Sequence, residues 1–300
     1  MKTVHPIFCS FLFFLLTINT YGQSINTKVT DKKGNEKLLG IVNRNGLTKD
    51  SFNKWFTPNY EAYLVNQGIV DLFKEVLKKE YRITVFFGSW CGDSKRELPK
   101  FYKILDAAGF PEERLTVVGV DNSTEAYKKS PTGEEKGLNI HRVPTFIFYK
   151  DGKEVNRIIE FPKETLERDM LTIISGKRYS GNYRVTTYLE GLVQTKGLDS
   201  LHTMEKELLP VIGESVAGSR ELNTYGYMKL RANDIDLAVY LFDINTKLFP
   251  YNKNTFDSLG EAYLKAENHV ESLKNYHKVL AIDPKNTNAK SMIAMIKAEM

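Results

Sequence analysis

Two short apolar runs rich in β-branched and aromatic residues, Ile83–Phe87 and Leu115–Val120, flank a stretch in which Leu98, Phe101, Tyr102 and Leu105 recur at helical spacing between Gly92 and Gly109. A strand, helix, strand order of this length implies a parallel pair with the helix crossing over one face of the sheet. Runs that are apolar at nearly every position fit strands covered on both faces. The order therefore predicts an α/β core. A third run, Thr145–Tyr149, meets the turn Lys150-Asp151-Gly152-Lys153 and continues into Val155–Ile159, which predicts an antiparallel hairpin. Pro162 to Ile174 reads as a closing helix. Upstream, Ile69, Leu72, Phe73, Val76 and Leu77 predict a helix ending near Lys79, and Lys28 to Asn45 predicts a hairpin-like entry with Gly34 and Asn45-Gly46 as its turns.

Residues 176–185, rich in Gly, Ser and Asn, break this pattern and read as a linker. Everything after them is helical in character, and it repeats: Gly226 and Gly260, Phe242 and Tyr276, and Pro250 and Pro284 each stand 34 positions apart. That period resembles tetratricopeptide repeats, with copies at 219–252 and 253–286. The second copy is the fuller one, keeping Phe256, Leu259-Gly260, Tyr263, Tyr276, Val279 and Pro284; the first carries Lys229 where the second has Tyr263. Two copies fall below the usual stable number, so helices within 186–215 are expected to complete the core and a helix over Asn288–Ala298 to cap it. The domain plan is then a segment 1–22, an α/β domain over 23–175, the linker, and an all-α domain over 186–300. A length of 300 residues suits two domains.

Lys2, the apolar run Ile7–Leu16 and the polar stretch Asn19–Gln23 follow the order of a secretory signal peptide, with cleavage expected near Gly22. The run is about half the roughly 20 apolar residues that a membrane span needs. Cys9 lies inside it after Phe8, which does not suit a lipid-attachment site. A periplasmic or secreted protein with no integral membrane segment after cleavage is therefore expected. Lys and Arg number 42 against 37 Asp and Glu, and the signs are interleaved, so nucleic acid is not an expected partner. With two cysteines 82 positions apart, the fold must stand on packing rather than on disulfides, and Cys91 becomes the one thiol of the cleaved chain.

Trp90-Cys91-Gly92-Asp93-Ser94 lies where the first buried strand gives way to the helix. A thiol there faces unpaired backbone N–H groups and the positive end of the helix dipole, both of which favour a nucleophilic thiolate. The plainer alternative is an inert, buried cysteine. Residues 81 to about 175 resemble thioredoxins, on Trp90-Cys91-Gly92, on Pro99 within the following helix, and on Ile140-His141-Arg142-Val143-Pro144-Thr145 continuing through Lys150-Asp151-Gly152. The resemblance implies a thioredoxin fold with Cys91 as the catalytic nucleophile and a cis bond before Pro144. It also implies a substrate-binding edge at Val143, Pro144 and Thr145, where a client peptide pairs by strand addition.

Three departures qualify that likeness. Ser94 replaces the resolving cysteine, and a hydroxyl cannot form the second disulfide. Val85 stands where thioredoxins bury an acid. Asp93 replaces the family's usual proline, and its carboxylate opposes the helix effect on a neighbouring thiolate unless Lys95 or Arg96 offsets it. Together they imply a monothiol-disulfide oxidoreductase that forms mixed disulfides with cysteine-bearing protein clients or with a small-molecule thiol, which an outside thiol must resolve. Trp90, Gly92, Asp93 and Ser94 would shape the site, and the helical repeats would bind a protein partner. The competing expectation is a non-catalytic adaptor that keeps the fold as a scaffold; a cysteine peroxidase is disfavoured because no threonine precedes Cys91 at the spacing such enzymes use. No cofactor or metal is expected. His269 and His277 lack a carboxylate at ligand spacing, and His141 reads as a satisfied loop histidine.

Overall fold

The computed structural model describes residues 24–300, so the segment 1–22 and Cys9 lie outside the described residues. The chain enters through the hairpin β1 (Thr27–Thr30) and β2 (Glu36–Val42), whose turn uses Gly34 at φ +82°. Asn45-Gly46, expected as a second turn, lies instead inside the short helix α1 (Arg44–Leu47), because the Asn43 side chain accepts a hydrogen bond from Gly46 N–H and caps that turn as a helix start. Helix α2 (Asp50–Ala62) carries only Phe52 and Phe56 as fully buried residues and has Pro58 within it, so its apolar pattern is thin. The helix expected through Leu77 is broken into α3 (Gln67–Val70) and α4 (Lys74–Glu80). Val70, Phe73 and Leu77 are buried, while Leu72 and Val76 face solvent.

Strand β3 (Tyr81–Phe87) leads into α5 (Gly92–Ala108), which Gly109 ends in the left-handed conformation, and then into β4 (Leu115–Gly119). A long connection reaches β5 (Thr145–Lys150), β6 (Lys153–Ile159) and α6 (Leu166–Ile174), which starts at its Thr165 cap rather than at Pro162. The sheet order is β1-β2-β4-β3-β5-β6, with β3 and β4 parallel and the other pairs antiparallel. Central strand β3 divides its side chains by alternation. Ile83, Val85 and Phe87 face the main core with Leu98, Phe101 and Leu105 of α5. Phe86 faces a smaller cluster with Val118, Val120, Ile140, Val143 and Ile147, against which Trp90 and Cys91 are packed. Pro99 has no N–H to offer the carbonyl of Lys95 one turn back. Asn59 of α2 supplies the missing donor at 3.1 Å, so the two helices are joined at the proline.

The residues after α6 are tied to the α/β domain. Tyr179 O–H donates to Asp169 at 2.7 Å, Asn182 to the Phe161 carbonyl at 2.8 Å, and Tyr183 O–H to Glu160. Eight helices follow, the first taking in the last two residues of the expected linker: α7 (Arg184–Lys196), α8 (Leu198–Thr203), α9 (Glu205–Ser215), α10 (Ser219–Arg231), α11 (Ile235–Leu248), α12 (Lys253–Lys265), α13 (His269–Ile282) and α14 (Thr287–Glu299). Helices α7–α9 bring Val185, Leu189, Leu201, Leu208 and Ile212 to Tyr225 and Tyr240 of the first repeat. Lys229, the odd residue of that repeat, pairs with Glu190 of α7 at 3.0 Å. It faces this non-repeat helix, so the aromatic used in the second copy has no counterpart to meet. Among the described residues no helix is long and apolar enough to cross a membrane.

The 34-residue period has a steric origin. A Cβ added at Gly226 would lie 2.5–2.9 Å from the Phe242 ring, and one at Gly260 would lie 3.1–3.2 Å from Tyr276. The glycine of each repeat's first helix thus makes room for the aromatic of its second. Gly226→Ala is expected to lower stability by about 1–3 kcal/mol through overpacking, because the Phe242 ring is fully buried. Gly260→Ala should be close to neutral, since a few tenths of an ångström of relief are offset by the roughly 1 kcal/mol helix preference of alanine. Urea unfolding of the two variants followed by circular dichroism checks the contrast.

Candidate thiol site at the edge of the helical domain

Cys91 caps α5 in extended conformation, with its N–H bonded to the Gly88 carbonyl and its carbonyl accepting from Lys95 N–H. The half-buried thiol donates to the Val143 carbonyl across 3.4 Å. Val143 is followed by a cis peptide bond to Pro144, as the resemblance implied. Thr145 closes this corner by donating to the Arg142 carbonyl at 2.7 Å, and Glu160 N–H donates to the Pro144 carbonyl at 2.7 Å. Strand end, helix start and proline corner therefore meet at one sulfur.

The remaining motif residues hold that meeting point. Ser94 is fully buried and its hydroxyl accepts the Gly88 N–H at 3.1 Å, so the residue in the resolving position anchors the end of β3. Trp90 donates from Nε1 to the Val120 carbonyl at 2.8 Å. Its ring lies so close to Gly88 that a Cβ there would come within 2.5 Å. Asp93 pairs with Arg96 at 2.6 Å, which offsets its charge beside the thiol, whereas Lys95 instead lines a groove. This groove, about 610 Å³, opens next to Trp90 between the β1–β2 hairpin and α2, with Phe52 and Trp55 on its wall. Gly92 is exposed at the first helical position, and Val85 is buried in the core.

The helical domain reaches this site through the β4–β5 connection, a contact between residues far apart in sequence that local patterns do not reveal. Arg142 pairs with Glu160 at 3.2 Å and donates to Thr224 Oγ1 of α10 at 2.7 Å. Tyr127 stands 6.4 Å from the Trp90 ring, with the Arg231 guanidinium of α10 4.4 Å from its centroid. Lys128 is almost fully buried and donates to the His141 carbonyl. Burial lowers its pKa to about 7, Arg142 and Arg231 acting the same way and Glu160 and the Cys91 charge opposing. His141, expected to be satisfied, is only half so. Its Nδ1 faces the Asn139 carbonyl at 3.2 Å while the buried Nε2 has no partner among the described residues.

A half-buried thiol at a helix N-terminus, following a central strand and set against a cis-proline corner, defines a thioredoxin-type site. The family profile described as Thioredoxin matches residues 66–172. The chain is 30% identical over 90 residues to Thioredoxin of Malassezia sympodialis, covering 30% of this chain and 78% of that protein. It is 31% identical over 88 residues to Thioredoxin-2 of Pyricularia oryzae, covering 29% of this chain and 46%, just under half, of that one. Over 158 residues, 51% of this chain, it is 22% identical to Superkiller protein 3 of Schizosaccharomyces pombe, 11% of whose length is spanned. The chain belongs to the thioredoxin family, and it carries tetratricopeptide-like repeats after the thioredoxin domain.

Proposed function

We propose that this protein is a monothiol member of its family that exchanges disulfides through Cys91, in the space outside the cytoplasm to which segment 1–22 points. The thiolate of Cys91 attacks one sulfur of a client disulfide; that S–S bond breaks, the second sulfur leaves as a thiolate, and a mixed disulfide forms. An external thiol then attacks the mixed disulfide and releases either client or protein. The supporting observation is the placement of Cys91 Sγ against Val143 immediately before Pro144, with the only neighbouring hydroxyl of the motif, Ser94, bonded to Gly88. Val143, Pro144 and Thr145 are buried, with Thr145 paired on both sides in the sheet, so the client would meet the main chain of Val143 ahead of Pro144, and the groove beside Trp90 would seat its flanking residues. The helical repeats would hold a second part of the same protein partner.

A second reading, a non-catalytic adaptor, draws on Ser94 and Val85, both fully buried in structural roles. One experiment separates the two. Cells expressing the native chain or Cys91→Ala are quenched with an alkylating agent and resolved on a non-reducing gel. Adducts that are present with the native chain and vanish with Cys91→Ala are the expected result. Partners recovered equally by both chains without a covalent adduct would overturn the thiol reading in favour of the adaptor.

A further inference from the structure

Between the β4–β5 connection and helices α7 and α10 the two domains leave a cleft of about 290 Å³, adjoining a second hollow of about 310 Å³ with which it shares Asn139 and Glu190. Against five cationic side chains its lining sets three carboxylates, Glu125, Glu135 and Glu190. Lys229 is neutralised by Glu190, but among the described residues neither Lys128 nor Arg231 has a carboxylate at ion-pair distance. These two cations lie against the same ring, each 4.4 Å from the centroid of Tyr127. With the Arg231 cation on the same ring, the buried Lys128 amine, whose pKa is lowered to about 7, is held fully charged at neutral pH when an anion joins them.

The adjoining hollow, lined by Asn139 and His141, carries acceptors without donors. The Asn139 carbonyl facing His141 Nδ1 can only accept, so in the neutral ring Nδ1 carries the proton and Nε2 offers a lone pair. That Nε2 and the Asn139 Oδ1 are buried and, among the described residues, unpartnered, and His141 is only 2% exposed. Buried unsatisfied groups are rare enough in folded proteins that two on one cavity require an explanation.

We propose that the interdomain cleft and the hollow it adjoins at Asn139 together form a binding site for a small organic anion bearing hydroxyl or amino hydrogens. Its negative group sits with Lys128 and Arg231, and its hydrogens are donated to Asn139 Oδ1 and His141 Nε2. Binding there needs no covalent step at Cys91.

The test is calorimetric titration of the full chain with three probes: citrate and glycerol 3-phosphate, which pair carboxylate or phosphate with hydroxyl groups, and sulfate, an anion with no hydrogen to donate at neutral pH. Saturable binding of citrate or glycerol 3-phosphate at one site is expected, the tighter of the two distinguishing a carboxylate from a phosphate ligand. Sulfate should bind at least about tenfold more weakly, and Arg231→Gln should weaken the hydroxyl-bearing probe by a similar factor. Arg231 is exposed and makes no ion pair among the described residues, so this variant should fold, which its melting curve verifies; Lys128→Met gives an independent second loss. No saturable heat from either hydroxyl-bearing probe, sulfate binding as tightly as they do, or unchanged binding in Arg231→Gln would each overturn the proposal.

Discussion

Ser94→Cys is expected to convert persistent mixed disulfides into transient ones, lowering the Cys91-dependent adducts on a non-reducing gel by about tenfold or more. Position 94 lies three residues into the turn that Cys91 caps, so the two side chains share one face of the helix. A thiol placed there can attack the Cys91 sulfur of a mixed disulfide, expelling the client as a thiolate and closing an intramolecular disulfide. The change also replaces the hydroxyl that accepts the Gly88 N–H with a weaker sulfur acceptor, a loss of about 1 kcal/mol. The variant should therefore fold and be slightly less stable than the native chain. Val85 leaves the resolving thiol without the buried acid that thioredoxins have at that position, so resolution should be slower than in a dithiol relative. Adducts persisting at native levels in a folded Ser94→Cys variant would show that the second sulfur cannot reach, and that Ser94 is not simply a lost resolving group.

How much of this site was legible depended on the range of the interactions that build it. The central strands showed themselves because β3 and β4 are apolar at nearly every position. The repeats showed themselves because Gly226 and Gly260 have the same steric task at a fixed period. Helix α2 left little trace: two fully buried residues and an internal proline give it no clear stripe. At the break between α3 and α4 Phe73 is buried, while Leu72 and Val76, which continue the stripe in sequence, point outward. Cys91, Trp90 and the Val143-Pro144 corner could be assigned from the thioredoxin likeness, yet the role of Ser94 as anchor of Gly88 could not. Lys128 and Arg231 sit among ordinary surface-like charges in sequence, and only a contact across about a hundred residues turns them into one wall.

His141 should give the thioredoxin domain a steep acid limb. Burial is the main cause that lowers its pKa to about 3; the Asn139 carbonyl opposes this, and Lys128, Arg142 and Arg157 add to it. The folded protein therefore keeps the ring neutral, while the unfolded chain takes up a proton near pH 6.5. Below that value the unfolded state binds one more proton, so the stability this residue contributes is intact above pH 6.5 and is lost at about 1.4 kcal/mol per pH unit as pH falls toward 3. Lys128 does not confuse the window, because its folded value of about 7 and its ordinary value of 10.5 both lie above it. His141→Asn keeps a donor for the Asn139 carbonyl and has no titrating ring. It should be less stable than the native chain at pH 7 because of the cavity it leaves, and the gap should close steadily as the pH falls. Urea unfolding at pH 7, 6, 5 and 4 checks this through tryptophan fluorescence, which reports on this domain alone because Trp55 and Trp90, the two tryptophans of the chain, both lie within it. The carboxylates shared by both chains cancel in the difference. Parallel pH dependences would mean that His141 accepts its proton in the folded state, and that solvent reaches the domain interface at Nε2.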